Sequence, residues 1–543
     1  MRRIVWVGLF AGILAGCGGE KRAARPPEPV RIGFLDETAG SPRDGGTLYR
    51  RLEGEPVTLN PILQTSDYEE FVLAGVSRNL IDFDKAMKPL GGLCDRWEIS
   101  PDQRVVTLHL RQEAVWQDGS PVTSKDAIFT IEKVADPKSE ALFFSPNFDS
   151  FQKAEALDDR SFRVTFTQPY AYRLYAFNLP LLPAAIYAKQ DLLKAPENRA
   201  PVSNGPYRFV RWRTSESIEL SRNERYWGPR PHFDRVLFRI VPDQAQALRA
   251  LERGDLDEMR VSTDQWKQAR ADPRFLARCR LVLFFDLSYF YVGYNNRSPL
   301  FSDAATRRAL TMLLDRGSLV RDLFFGTARI ISGPWAADSP AYDPSVAPYP
   351  FDPARAKEIL ASAGWKSSGP DHVLERGGKR FEFDLLYGSG SQSAQQVAEV
   401  FRDALGRAGI VCRPRAVEWA AFAKKMDAGD FDAVASSYSA SDPNPDLFAN
   451  WHSSQAPPNG LNNLSYSDPE ADRLILAARL ELDDAKRIAI DHRLHRILHD
   501  DEPATFALQS AQKYAISRRI GGLVTTPLGL FKFWPDSVGW WGR

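Results

Sequence analysis

The chain has 543 residues and sets 70 Lys and Arg against 69 Asp and Glu, for a formal net charge of +1. The two signs are interspersed, so no extended field draws a polyanion and the balance argues against a nucleic-acid partner. With 43% hydrophobic and 11% aromatic residues, the length suffices for two or three domains with large cores.

Arg2 and Arg3 precede an apolar run over residues 4–14, and Leu14-Ala15-Gly16-Cys17 follows as a small-residue cleavage site. This is the pattern of a secretory signal, and the run is too short to remain as a spanning helix. The four residues resemble the lipobox of bacterial lipoproteins, which implies removal of residues 1–16 and a lipid on Cys17. No later segment reaches about eighteen uninterrupted apolar residues. The mature chain is therefore expected to be extracytoplasmic or periplasmic, soluble and tethered. Residues 18–44, rich in Gly, Arg and Pro, read as a flexible leash.

Beyond the leash, short strands alternate with helices, and the expected fold class is mixed α/β. Val106, Leu108 and Leu110 take every second place in one strand, and Phe162, Val164 and Phe166 in another. Between them Asp118-Gly119 suits a turn, and Thr123 with Asp126 looks like a capping pair opening a helix through Ala127, Ile128 and Ile131. Asp243 opens a helix over 244–253 that stops at Gly254. Asp352-Pro353 opens another, stopped at Gly364, and Asp468-Pro469 opens one over 470–480.

Little in the chain carries chemistry. Cys94, Cys279 and Cys412 are far apart and odd in number, so buried free thiols are expected rather than a disulfide framework or a metal site. His492, His495 and His499 fall within roughly 60° on a helix, opposite Ile490, Leu494 and Ile497. Their spread over two turns is long for one ion, and the expectation is a solvated polar face. Gly388-Ser389-Gly390 does not fit the nucleophile elbow, and Gly377-Gly378-Lys379-Arg380 lacks the spacing of a phosphate loop. No enzyme and no cofactor are expected.

Several short segments together resemble family 5 of the extracellular solute-binding proteins, the peptide- and nickel-type receptors of ABC importers. They are Gly46-Thr47-Leu48, Glu55 to Pro61, Trp97 to Asp102, Val115 to Thr123, Asn204-Gly205-Pro206-Tyr207, Arg222 to Gly228, Tyr294-Asn295-Asn296 with Arg307 to Leu310, the run from Tyr349 to Trp365, and Trp451 to Ser454. Each is weak alone, and their collinear order from Gly45 to the C-terminus carries the resemblance.

The resemblance implies two lobes closing over a solute like a hinged trap. One lobe would comprise 44–62, 195–299 and 506–543, an extra subdomain 63–194, and the second lobe 300–505. It also implies a monomer that binds an oligopeptide or similar solute and delivers it to a membrane permease driven by a separate ATPase. Signalling or chaperone-like binding without transport, or a nickel, haem or oligosaccharide ligand, are the alternatives.

Receptors of this kind pair the ligand's main chain with protein strands and hold its α-ammonium with a carboxylate. The corresponding loop runs from Tyr438 to Phe448 and contains Asp442, Asn444 and Asp446. Asp442 is the expected ammonium anchor, with Asp446 the alternative and Asn444 standing where an acid is common. Tyr438 and Trp451 are expected pocket walls. Asn295 and Asn296 are placed at a lobe crossover, where either side chain bonds a ligand backbone or simply ends a strand.

Overall fold

The computed structural model describes residues 32–64, 66–86, 88–440, 445–531 and 533–543. Cys17, Asp442 and Asn444 lie outside the described residues.

Alternating strands build the subdomain as the periodicity predicts. Val105–Leu110 pairs antiparallel with Ser161–Phe166, Leu108 opposite Phe162 and Val106 opposite Val164, in a four-stranded sheet completed by Cys94–Ile99 and Phe151–Ala156. All six predicted inward residues are buried. Against this sheet packs the helix Ser124–Ala135, whose first turn is held where the Asp126 carboxylate accepts from Thr123 N at 2.8 Å. The resulting apolar cluster draws its buried members from residues 62–195.

Two further sheets form the first lobe. Thr47–Leu52 runs parallel to Arg235–Ile240, followed by Ser217–Arg222 and Tyr207–Arg213. The other sheet has three strands in the order Glu258–Arg260, Gln512–Ser517, Cys279–Phe284. Leu48, Phe238, Val282, Tyr514 and Trp540 knit the two into one core. The helix Gln244–Arg253 begins where Asp243 accepts from Gln246 N at 2.7 Å and ends at Gly254, whose φ of 84° is left-handed.

The second lobe is built on six strands in the order Ala328–Ile330, Ala504–Ser510, Ser288–Tyr294, Ala433–Ser439, Glu382–Gly388, Val411–Val417. Helices cap it as expected, with Asp352 accepting from Arg355 N at 2.9 Å and Asp468 from Ala471 N at 2.8 Å. Ser288–Tyr294 and Ala504–Ser510 are interior strands of this sheet, so the expected boundary at 299 falls beyond the first of them and the one at 505 cuts into the second. The chain changes lobe at 285–287, between strands ending at Phe284 and starting at Ser288, and again at Ala511. Gln509, fully buried, ties the two crossovers together: its amide donates to Asp286 O, while its Oε1 accepts from Arg329 Nε at 2.8 Å.

Two expectations are corrected. The end of the leash is docked: Gly33 N donates to Leu283 O, Glu37 N to Leu523 O, and Arg43 N to Gly542 O, and Glu37 pairs with Arg280 and Arg543. The histidine face on the helix Asp484–Asp501 is covered rather than solvated. His495 is fully buried, His499 stacks on Tyr349 with centroids 4.3 Å apart, and His492 Nε2 lies 3.0 Å from Pro340 O. The segment that covers it, 332–349, leaves no such face free, which periodicity along one helix does not reveal. Cys94, Cys279 and Cys412 are buried and unpaired as expected, one in each of the three sheet-built compartments.

Candidate functional site

A cavity of about 950 Å3 is lined by the subdomain, the second lobe and the C-terminal segment of the first. Its floor lies near the crossovers, where Leu287, Ala440, Val524, Leu528 and Phe533 form an apolar seam with Phe83. Tyr175 stacks on Phe83 with centroids 4.7 Å apart.

The helix Asp67–Val76 supplies one wall. Ser66 caps it, with Ser66 N donating to Glu69 Oε2 at 2.7 Å, and Glu69 Oε1 accepts from Val57 N at 2.7 Å. That fixed start aims Glu70, Leu73, Ala74 and Ser77 at the cavity. Just beyond, the Arg78 guanidinium lies over Trp534, 3.4 Å from the ring centroid, and pairs with Asp82. Both are almost fully buried, and burial pushes the Asp82 carboxyl up against the opposing pull of Arg78. Asn79 Nδ2 donates to the same carboxylate at 3.1 Å.

The opposite wall contains part of the predicted loop. Tyr438 and Asp446 both line the cavity, with Ser439 and Pro445. Tyr438 reaches it because its strand pairs with Ser288–Tyr294, placing its ring 5.4 Å from Tyr289. Asp446 is already committed to protein groups. Its Oδ2 accepts from Arg479 Nε at 2.8 Å and from Tyr170 OH at 2.9 Å, and its Oδ1 from Phe448 N at 3.0 Å. Burial works against the Arg479 charge, but Asp446 and Asp149 more than offset it and raise its pKa.

The remaining predicted residues lie elsewhere. Trp451 is packed in the core against Tyr466 and Phe506, at 6.1 and 5.9 Å, and does not line the cavity. Asn295 and Asn296 follow the strand end remote from Tyr438, since Tyr294 pairs with Ala433 while Ser288 pairs with Ser439. Asn295 Nδ2 donates to Phe431 O at 3.0 Å, and Asn296 Nδ2 to Tyr294 O at 2.9 Å and Leu464 O at 3.0 Å. They pin loops inside the second lobe rather than at a crossover.

Sequence reasoning passed over Arg78, Asp82, Asp149, Tyr170, Arg479 and Trp534. Asp149 and Arg479, joined at 2.8 Å, stand 330 positions apart, so no local pattern relates them. Among the described residues no cluster of His, Cys, Asp and Glu suits a metal ion, and no helix is long and apolar enough to cross a membrane.

Two sheet-built lobes, two crossovers and a cavity walled from both sides are the architecture of a solute-binding protein. The bacterial extracellular solute-binding proteins, family 5 Middle, match residues 88–460, and the chain belongs to that family. It is 27% identical over 527 residues to the oligopeptide-binding protein AppA of Bacillus subtilis (strain 168), covering 95% of this chain and 94% of that one. The solved structure of AppA in complex with a nonapeptide superposes with a TM-score of 0.80 at 25% identity, over 93% of this chain and all of that one. NikZ from Campylobacter jejuni, solved with Ni(L-His), has the same fold, with a TM-score of 0.81 at 24% identity over 92% of this chain and 99% of its own.

Proposed function

We propose that the protein captures oligopeptides in the cavity and hands them to an ABC permease powered by a separate ATPase, while a lipid on Cys17 holds the protein at the membrane surface as a monomer. The observation that carries the ligand reading is the cavity itself. At about 950 Å3 it stands at the upper end of the roughly 300–1,000 Å3 typical of small-molecule pockets. It is walled by Tyr438, Ser439 and a helix face bearing Glu70. The similarity to an oligopeptide-binding protein along nearly the whole chain supports the same reading.

Asp442 is the proposed partner of the peptide α-ammonium. The commitments of Asp446 to Arg479 and Tyr170 leave it a poorer candidate than the sequence alone suggests. A charge-assisted hydrogen bond contributes about 1.5–3 kcal/mol, so Asp442→Ala should weaken free-amine peptides about 10- to 100-fold and spare their N-acetylated forms. The test is calorimetric titration with matched pairs drawn from a thermal-shift screen of di- to octapeptides. Equal losses for both forms would remove Asp442 from the site, and no shift with any peptide would remove the ligand class. Growth with labelled palmitate tests the anchor: label should enter the parent and not Cys17→Ser.

A further inference from the structure

The subdomain and the second lobe share neither sheet nor chain crossover, yet one spot on each is bonded to the other. On the second lobe, Arg479 near the end of the helix Pro469–Leu480 is paired with Asp446 through Nε at 2.8 Å. Both members of that pair belong to the second lobe. Across the seam, Tyr170 OH donates to Asp446 Oδ2 at 2.9 Å, Arg479 Nη2 donates to Asp149 Oδ2 at 2.8 Å, and Ala171 N donates to Arg479 O at 2.8 Å. Tyr172 extends the contact, with the Arg487 guanidinium 5.2 Å from its ring centroid.

We infer that Tyr170, Ala171 and Asp149 form a plug that seats in a preorganised Arg479–Asp446 socket, latching the lobes shut independently of any solute. The socket meets the plug with a backbone carbonyl, a carboxylate and a guanidinium edge, so each cross-seam donor finds an acceptor. Tyr170 and Tyr172 are 5% and 4% exposed although they lie on a connecting segment, which is the burial expected of a seated plug. Asp149, Tyr170, Asp446 and Arg479 also line the cavity. The latch is thus part of the chamber wall, and its closure seals the space the solute occupies. A solute does not create the closed state on this account. It adds its contacts to a population the latch already supports.

The inference does not depend on what the solute is, and its test uses none. Spin labels at Lys138→Cys on the subdomain and Lys486→Cys on the second lobe, both exposed positions, are introduced into the full chain carrying Cys17→Ser. Electron–electron distance measurement then reports lobe separation. Tyr170→Phe with Asp149→Ala removes two cross-seam bonds and leaves the second lobe untouched. The ratio of closed to open molecules should fall at least about tenfold. Arg479→Ala should do the same, and its folding is checked by its unfolding midpoint; if it fails to fold, the plug variant decides. An unchanged distance distribution in the plug variant overturns the latch.

Discussion

Acidification should weaken the second lobe through two buried imidazoles, His499 and His495, both held below the usual value by burial, and His495 can be read separately. His495 is enclosed by Trp335 and Tyr342, with ring centroids 5.4 and 4.7 Å away. Its Nδ1 accepts from Asp343 N at 2.9 Å, so the neutral ring carries its proton on Nε2, facing Ser332 Oγ at 3.2 Å. Protonation would set an Nδ1–H against the Asp343 N–H. Burial, aided by the nearby His499 and His492, pushes the pKa from 6.5 down to about 4. The neutral form is the one the fold prefers, so stability from this group is complete above pH 6.5 and is lost as pH falls from 6.5 to about 4. At about 1.36 kcal/mol per pH unit, that fall is worth about 3 kcal/mol.

Glu502 and Asp491 act in the opposite sense. Burial lifts them to about 8 and about 7, so each contributes stability at low pH that is lost as pH rises through those values. The parent curve therefore mixes opposing slopes, and a variant is needed to separate them. His495→Gln can keep both hydrogen bonds without a titratable group. Denaturant unfolding of parent and variant between pH 7 and pH 4, followed by tryptophan fluorescence, should show the variant losing about 3 kcal/mol less. Parallel losses would refute the assignment to His495.

A chain starting at residue 45 should be about 2 kcal/mol less stable than one starting at 32 in calorimetry, because Arg280 loses Glu37 and Leu283 O, Thr525 Oγ1 and Leu523 O lose the donors of Gly33, Leu35 and Glu37. Trp451→Ala should cost about 3–5 kcal/mol in unfolding experiments while leaving the affinity of the folded protein unchanged, since the indole packs in the core. Asn296→Ala should cost about 0.5–1.5 kcal/mol by the same measurement, because the carbonyls of Tyr294, Leu464 and Pro503 lose the side-chain amide while Leu464 O and Pro503 O keep backbone donors.

What sequence reading recovered follows from how far each signal reaches. The strands around Leu108 and Phe162 and the caps at Asp126, Asp243, Asp352 and Asp468 were legible because alternation and capping act over a few residues. The crossovers were misplaced because Ser288–Tyr294 looks the same whether it ends the first lobe or begins the second. Trp451 was read as a wall because burial and pocket lining demand the same large apolar side chain. Arg479 and Asp149 gave no signal at all, since ion pairs formed across the tertiary structure leave no spacing to detect.

The three buried thiols give the protein a set of internal clocks. Cys94 lies in the subdomain core, Cys279 on a first-lobe strand and Cys412 in the second-lobe core. Burial raises the pKa of all three, to about 11 for Cys279 and about 12 for Cys412, so each stays protonated and inert until its own surroundings open. A thiol reagent applied to the native protein would then time the opening of each compartment separately, from one unmodified chain.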